Sequence, residues 1–204
     1  MEDLIDTLEA KINEFNRVTK NALVQNYTLP KSAKVVTKAV VMEDYNGYPV
    51  FKVTGTFQLP FEVVAKHFVD TSTGLSPIKT EILDMYENKE DRIHFGTIKS
   101  TYELPAKEFG LTNTSSKEFM YVQQGEVSDD DPSKTLGLSV MTLETQSVDN
   151  LFSCLQLRAV SAGVTDFTIS SATKIHNTNN SLMRAFQIQQ IVAHYEMLGE
   201  NLSH

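Results

Sequence analysis

The sequence predicts an α+β fold in which a curved antiparallel β-sheet is closed along one side by a long C-terminal helix. Strand-like segments separated by turn residues fill the chain from about residue 79 to 176, and apolar residues at helical spacing follow over 180–202. At 1.5 Å per residue this helix would be about 30 Å long, and its apolar arc is wider than a flat sheet requires. We therefore expect the sheet to wrap around the helix and form a container. The apolar positions are Ala185, Ile188, Ile191, Val192, Tyr195, Leu198 and Leu202, with a second line at Leu182, Phe186, Ala193 and Met197.

The first element is predicted to be a helix over residues 2–26, within an N-terminal helical segment 1–26. Its apolar stripe repeats at three- and four-residue spacing, acidic residues lie near its start, and Pro30 follows its end. Two strands at 33–44 and 49–58 should pair as a hairpin, because Asn46-Gly47 between them is a strong hairpin signal. The stripe consists of Met1, Leu4, Leu8, Ile12, Phe15, Val18 and Ala22.

A second, shorter helix is expected from Pro60 to Asp70, since proline is favoured near a helix start. The remaining strands should form an antiparallel meander, and Thr, Ser, Gln and Asn occur on both faces of several of them. A cavity of mixed polarity accommodates such residues better than a dry core, although edge and bulge positions explain them equally well. The predicted strands are 79–87, 91–102, 106–114, 117–127, 135–146, 153–162 and 165–176.

Composition restricts the class of protein. With 204 residues the chain fits one domain, 1–204, and no linker or repeat divides it. The formal net charge of −8, without a cluster of Lys and Arg, argues against nucleic acid as a partner. An acidic start and the lack of an eighteen-residue apolar run predict a cytoplasmic protein. The one cysteine, Cys154, excludes an internal disulfide and is expected to be a small core residue.

Motifs for the large enzyme classes are missing from the sequence. It has no nucleophile elbow, phosphate-binding glycine loop, dinucleotide fingerprint or zinc-binding helix, and its histidines stand singly, so we expect no cofactor, no metal and no catalysis. An acid–base pair in an apolar cavity remains the alternative, because burial would shift the pKa of a carboxyl group. The candidates for such a pair are Glu81, Asp84, Glu144, His94 and Asp166.

The order of elements resembles the helix-grip fold of START (StAR-related lipid transfer) domains and the wider Bet v 1-like plant-allergen superfamily. Short stretches are similar to START motifs from about residue 50 to 202, whereas 1–49 match by architecture alone. Two departures stand out: the Trp of the segment near 75–78 is absent, and Asn113 stands where sterol-binding members have an arginine. The similar stretches are 51–57, 60–64, 68–70, 75–78, 81–83, 105–109, 157–159 and 165–169.

The resemblance implies that the protein binds one lipid or sterol in an internal hydrophobic cavity, and that it transfers this ligand inside the cell by transient contact with membranes. A lid at 71–77, or the C-terminal helix itself, would open for exchange. Two alternatives stay open: a cyclase or hydrolase on the same scaffold, and an interaction module with a dry core. The residues expected to line the cavity are Phe109, Leu111, Asn113, Tyr121, Gln123, Leu157, Ile188, Val192 and Tyr195, with Asn113, Gln123 and Tyr195 as polar anchors.

Overall fold

The computed structural model describes residues 2–20, 22–45, 48–71, 79–105, 111–126, 134–145, 149–174 and 181–203. Three helices and nine strands lie in these ranges. The predicted α+β helix-grip architecture is confirmed. The helices are α1 (Glu2–Thr19), α2 (Phe61–Thr71) and α3 (Ser181–Leu202); the strands are β1 (Val24–Tyr27), β2 (Val36–Tyr45), β3 (Tyr48–Phe57), β4 (Lys79–Asn88), β5 (Ile93–Pro105), β6 (Leu111–Glu126), β7 (Lys134–Thr145), β8 (Asp149–Ser161) and β9 (Val164–Lys174).

The nine strands form one antiparallel sheet in the order β1-β2-β3-β9-β8-β7-β6-β5-β4. Strands β4 to β9 follow one another as the predicted meander. Strand β3 does not pair with β4, which follows it in the chain. It pairs with β9 instead, in a register that runs from Val50 opposite Ala172 to Phe57 opposite Thr165. The connection that contains α2 carries the chain from the middle of the sheet to its far edge, so the last strand returns beside the first hairpin.

Two boundaries differ from the sequence-based expectation. The first helix ends at Thr19 rather than near residue 26, and Val24–Tyr27 instead forms the short edge strand β1. Pairing with β2 satisfies backbone groups that an exposed last helical turn would leave to water. The strands expected at 106–114 and 117–127 are largely one strand, β6, which contains a register shift between Lys117 and Glu118 on its β7 side.

The far edge strand, β4, carries a bulge between Ile82 and Asp84. The carboxylate oxygen Oδ1 of Asp84 accepts the backbone N–H of Thr97 at 2.6 Å. Gly96 is required beside the bulge, because a Cβ atom there would lie 2.2 Å from the carbonyl oxygen of Asp84. The bulged strand is therefore held against β5 by a side chain as well as by the ladder.

Alternating side chains on the sheet build two separate cores. The outer face packs against α1, and three aromatic rings, Phe15, Tyr45 and Phe152, meet there edge to face or tilted. The inner face packs against α2 and α3, where Tyr195 stacks on Phe167 with ring centroids 4.8 Å apart. The inner core is the space that the sequence analysis expected to be a container.

The C-terminal half of α3 is fixed to the start of β2. The Glu196 carboxylate accepts three consecutive backbone N–H groups, from Lys34 at 2.9 Å, Val35 at 2.9 Å and Val36 at 2.7 Å. The carbonyl oxygen of Val35 in turn accepts the N–H of Thr56 at 2.9 Å. These bonds connect α3 to β2 and β3 in one network.

Replacing Glu196 by Gln should lower the free energy of unfolding by about 1–3 kcal/mol, because hydrogen bonds to a charged acceptor are stronger than those to an amide. Urea denaturation monitored by circular dichroism would measure the loss. The matched control is Glu200→Gln, one turn further along the same helix at an exposed position. Equal stability of the two variants would contradict the assigned role of Glu196.

Candidate ligand site

The inner face of the sheet has an apolar end and a polar end. At the apolar end, α2 and the C-terminal half of α3 pack against large side chains such as Phe57, Leu136 and Phe167, which are almost fully buried. The salt bridge from Lys134 to Glu62, 2.5 Å long, ties α2 over this end. Side chains fill the space around Tyr195 and Phe167, whereas a cavity of about 460 Å³ opens between α2 and strands β5, β6 and β7, lined by residues that include Phe61, Ala65, His94, Gln124 and Lys134.

The polar end is built on the opposite ends of the same strands. Five polar residues are buried here with at most 2% of their surface exposed, and they alternate with apolar residues of the inner core such as Ile98, Met120 and Val140. Such a density of buried polar groups requires internal hydrogen bonds or a bound molecule, since an unpaired buried polar group destabilises the fold. The five are Ser100, Ser116, Glu118, Ser153 and Ser171.

Glu118 is the charged residue of this end and is 1% exposed. Its two carboxylate oxygens accept hydrogen bonds from serine hydroxyls: Oε2 from Ser100 at 2.7 Å and Oε1 from Ser116 at 2.5 Å. Ser100 and Ser116 pair directly across β5 and β6, and the next pair on the same face is Ile98 opposite Glu118. The sheet thus positions a carboxylate inside the core with hydrogen bonds from both sides.

Among the residues that the structure describes, three buried polar atoms have no hydrogen-bond partner: Oγ1 of Thr142, Oγ of Ser153 and Oε1 of Gln187. Thr142 lies directly opposite Glu118, and Ser153 lies opposite Val140, two residues along β7 on the same face. The first two atoms are therefore near neighbours on the sheet. An unsatisfied buried group costs about 1–3 kcal/mol, so these two neighbouring hydroxyls are candidates for a hydrogen bond to water or to a bound molecule.

Gln187 lies in the N-terminal half of α3. Near the C-terminus of this helix, Gly199 lies against Val35 and Phe57, so that end of α3 is at the end of β3. On the inner face of the sheet, Phe51 pairs with Ser171 and Ser171 pairs with Ser153, so these three residues form one row at the polar end.

The two halves of α3 differ in packing. Ile191, Val192, Tyr195 and Leu198 are buried on one face of the C-terminal half, while the residues between them face solvent. At the start of the helix, all five residues from 183 to 187 have intermediate exposure, and full burial begins at Ile188. The helix is therefore packed firmly from Ile188 onward and more loosely over its first two turns.

The structure brings together four of the predicted lining residues. Leu157, Ile188, Val192 and Tyr195 all belong to the inner core, and burial raises the pKa of the Tyr195 hydroxyl. Their contact with a ligand remains a prediction, because the described core is filled around Tyr195. Leu111 and Asn113 lie on β6, where the structure describes the backbone only, and Phe109 and the expected lid at 72–77 lie outside the described residues.

Tyr121 and Gln123 are placed differently from the expectation. Met120 and Val122 point into the inner core, so the residues that alternate with them point outwards. Tyr121 packs in the outer core with α1, and Gln123 is exposed. The expected position of these two residues in the cavity was wrong, because the odd-numbered residues of this segment were expected to face inward, whereas the even-numbered Met120 and Val122 do so.

The carboxylate that the structure does bury, Glu118, was missed among the acid–base candidates. Of those candidates, Glu81, Asp84 and Asp166 are exposed. A signal existed in the sequence: counting back in twos from the apolar pair Val122 and Met120 leads to Glu118 and then Ser116. The same alternation that moves Tyr121 outwards places Glu118 inside.

Other reactive groups add little to the site. Burial raises the pKa of the Cys154 thiol to about 11, although a hydrogen bond with Ser139 acts in the opposite direction, so this thiol is unreactive near neutral pH. Within the described ranges, no three His, Cys, Asp or Glu side chains come together as metal ligands. None of the described helices has the length and apolar character needed to span a bilayer.

Comparison with solved structures supports the same architecture. Human StAR-related lipid transfer protein 5 aligns over 100% of this chain and 98% of its own, with a TM-score of 0.67 and 8% sequence identity. The lipid transfer and protein localization domain of human StarD13 (DLC2) aligns over 94% of this chain and 96% of its own, with a TM-score of 0.52 and 10% identity. The chain therefore has the helix-grip fold of START domains. Neither a protein-family model nor a curated protein sequence matches it.

The matched substitutions Ser153→Ala and Ser100→Ala should have different effects on stability. Ser100 loses a hydrogen bond to a buried carboxylate and should cost about 1.5–3 kcal/mol, whereas Ser153 loses a hydroxyl without a partner and should be neutral or slightly stabilising. Urea unfolding of both variants would measure the difference. A similar loss in the two would mean that the Ser153 hydroxyl is already bonded in solution.

Proposed function

We propose that this protein binds one lipid or sterol between the inner face of its sheet and the N-terminal half of α3, and transfers it between membranes without changing it chemically. The proposal rests on two observations: neighbouring buried hydroxyls, of Thr142 and Ser153, that have no hydrogen-bond partner, and the intermediate exposure of residues 183–187 of α3. The shared fold with human StAR-related lipid transfer protein 5 supports it.

The chemistry of the inner face suits an amphipathic molecule. Apolar side chains, including Phe51, Ile98, Met120 and Val140, alternate with the buried polar residues, so a hydrocarbon body and a polar end both find matching surface. Removing apolar surface from water contributes roughly 25 cal/mol per Å², or about 0.8 kcal/mol per methylene. An acyl chain or sterol skeleton can therefore be held without covalent chemistry.

Exchange with a membrane would begin at the N-terminal end of α3. Leu182 in its first turn is 67% exposed, which places an apolar group at the surface next to the proposed entrance. The C-terminal half is fixed by Glu196, so displacement of the loosely packed half opens the site at the smaller energetic cost. We propose transient contact of this end with a membrane, and a cytoplasmic location for the protein.

Catalysis by Glu118 is the second candidate function, because a buried carboxylate beside hydroxyl groups resembles a general base. Both of its oxygens already accept serine hydroxyls, which favours a positioning role over proton transfer to a ligand. Mass spectrometry of the ligand before and after incubation with the protein separates the two functions. An unchanged mass supports carriage, and conversion that disappears in Glu118→Gln supports catalysis.

Native mass spectrometry of the protein from its own host, followed by organic extraction, should reveal one lipid per chain. Ser153→Leu places extra methyl groups among the polar residues and should reduce the bound fraction about tenfold, since overpacking costs about 1–3 kcal/mol. The matched control is Ser139→Leu, on the outer face of β7. Absence of lipid from the unmodified protein, or equal loading of two folded variants, would contradict the proposal.

A further inference from the structure

We propose that the cavity between α2 and strands β5, β6 and β7 binds a second kind of ligand, a small water-soluble phosphate monoester with an apolar body. The volume of this cavity, about 460 Å³, lies within the range of roughly 300–1,000 Å³ that is usual for small-molecule pockets. None of its described lining residues is Thr142 or Ser153, the neighbouring hydroxyls on which the proposed lipid site rests. The two sites are therefore separate, and the proposed lipid function does not depend on this one.

Positive charge from three separate elements converges on this cavity. Lys66 comes from α2, Arg92 from the turn between β4 and β5, and Lys134 from the start of β7. Among the described lining residues the one carboxylate is Glu62, so three cations and one anion give this part of the wall a formal charge of +2. The whole chain carries −8. A local excess of positive charge in an acidic protein concentrates anions at that place.

The turn before β5 presents Arg92 to the cavity. The φ angle of Arg92 is 54°, in the left-handed region that few residues with a side chain adopt, and its carbonyl oxygen accepts the backbone N–H of Gln124 at 3.0 Å. The carboxylate next to it in the chain, Asp91, accepts the side-chain amide of Asn88 at 2.7 Å and does not line the cavity. The turn therefore directs the cation, and not the neighbouring acid, to the site.

The remaining wall supplies uncharged donors and an apolar surface. The side-chain amide of Gln124 and the hydroxyl of Thr135 can both donate hydrogen bonds to an anion. On the opposite side, apolar residues at four-residue spacing form one face of α2: Phe61, Ala65 and Val69. A ligand that fills this cavity thus has an anionic group at one end and an apolar body at the other.

Among anionic groups, a phosphate monoester matches the charge and the donors best. It carries about −1.5 to −2 at pH 7, and its ionised oxygens accept several hydrogen bonds. A guanidinium group binds such oxygens in pairs, and lysine adds a point charge. A carboxylate offers one charge and two oxygens, so it would compensate the wall less completely.

A small soluble ligand fits this chain better than a phosphate group on a membrane surface. The net charge of −8 opposes approach of the whole protein to an anionic bilayer. A small ion that enters the cavity experiences mainly the charges nearby, because salt screens the more distant ones within about 8–10 Å. The local charge of the cavity can therefore act on the small ion even though the protein as a whole is acidic.

Isothermal titration calorimetry of the full chain at low ionic strength, with phenyl phosphate, benzoate and phenol, tests the site. We expect phenyl phosphate to bind with a Kd below about 1 mM and at least about fivefold more tightly than benzoate, and phenol not to bind measurably. Lys66→Gln and Arg92→Asn should each weaken binding of phenyl phosphate about three- to tenfold, since each removes one exposed charge-assisted contact. Asparagine tolerates the positive φ at position 92. The matched control is Lys99→Gln, an exposed lysine of β5 outside the cavity, which should leave the affinity unchanged.

A third variant, Glu62→Gln, should change the affinity in the opposite direction. The Glu62 carboxylate lies 2.5 Å from Nζ of Lys134 and competes with a bound anion for it. Removing this negative charge should tighten binding of phenyl phosphate about three- to tenfold. A purely structural role for the basic residues would predict no such gain.

The phosphate site would be overturned by the absence of binding at 1 mM phenyl phosphate, by equal affinity for benzoate, or by unchanged affinity in Lys66→Gln and Arg92→Asn variants that circular dichroism shows to be folded. Vesicles of phosphatidylcholine and phosphatidic acid separate the two sources of phosphate. Binding to these vesicles that is lost in the same variants, without binding of phenyl phosphate, would overturn the soluble ligand in favour of a membrane one. Native mass spectrometry of bound lipid tests the proposed function alone, so failure of either site leaves the other standing.

Discussion

The backbone of Val35 is the point on which the inner half of the structure depends. Its N–H and carbonyl groups bond to Glu196 on α3 and to Thr56 on β3, so one residue joins helix and sheet. Two glycines make this possible: a Cβ on Gly55 would lie 2.3 Å from the Val35 carbonyl oxygen, and one on Gly199 would lie 2.6 Å from its side chain. Because Gly55 and Gly199 have no side chain, both leave space for Val35, and the helix approaches the strands closely at this end.

This fixed end has a mechanical consequence for the remainder of α3. The aromatic stack of Tyr195 and Phe167 lies next to the fixed point, and the helix runs from there along β3 toward the polar end. Over its first two turns, residues 183–187 have intermediate exposure, and full burial begins at Ile188. Under the proposed function, a ligand that bonds to the buried hydroxyls on the sheet would add contacts to this less buried part of the helix. Such a ligand would stabilise the folded protein, because it binds the folded state and not the unfolded chain.

Sequence periodicity predicted the helices and most strands because each depends on residues that are close in the chain. The expected 180–202 helix is observed at Ser181–Leu202, and the Asn46-Gly47 hairpin pairs as expected. Contacts between distant segments could not be predicted in this way: the bonds from Lys34 to Glu196 join residues 162 positions apart. The inward side of β6 could have been predicted from alternation, since Met120 and Val122 are apolar, but the opposite face was expected to line the cavity.

The bulge in β4 affects how readily the edge of the sheet can pair with a strand of a second chain. A long edge strand with apolar groups such as Ile82, Leu83 and Tyr86 about half exposed is a template on which a second chain can add a strand. The irregularity at Asp84 breaks the repeat of free backbone groups, and the acidic side chains along this edge repel an identical neighbour. The bulge that bends the edge strand therefore also opposes edge-to-edge aggregation, without adding to the binding site.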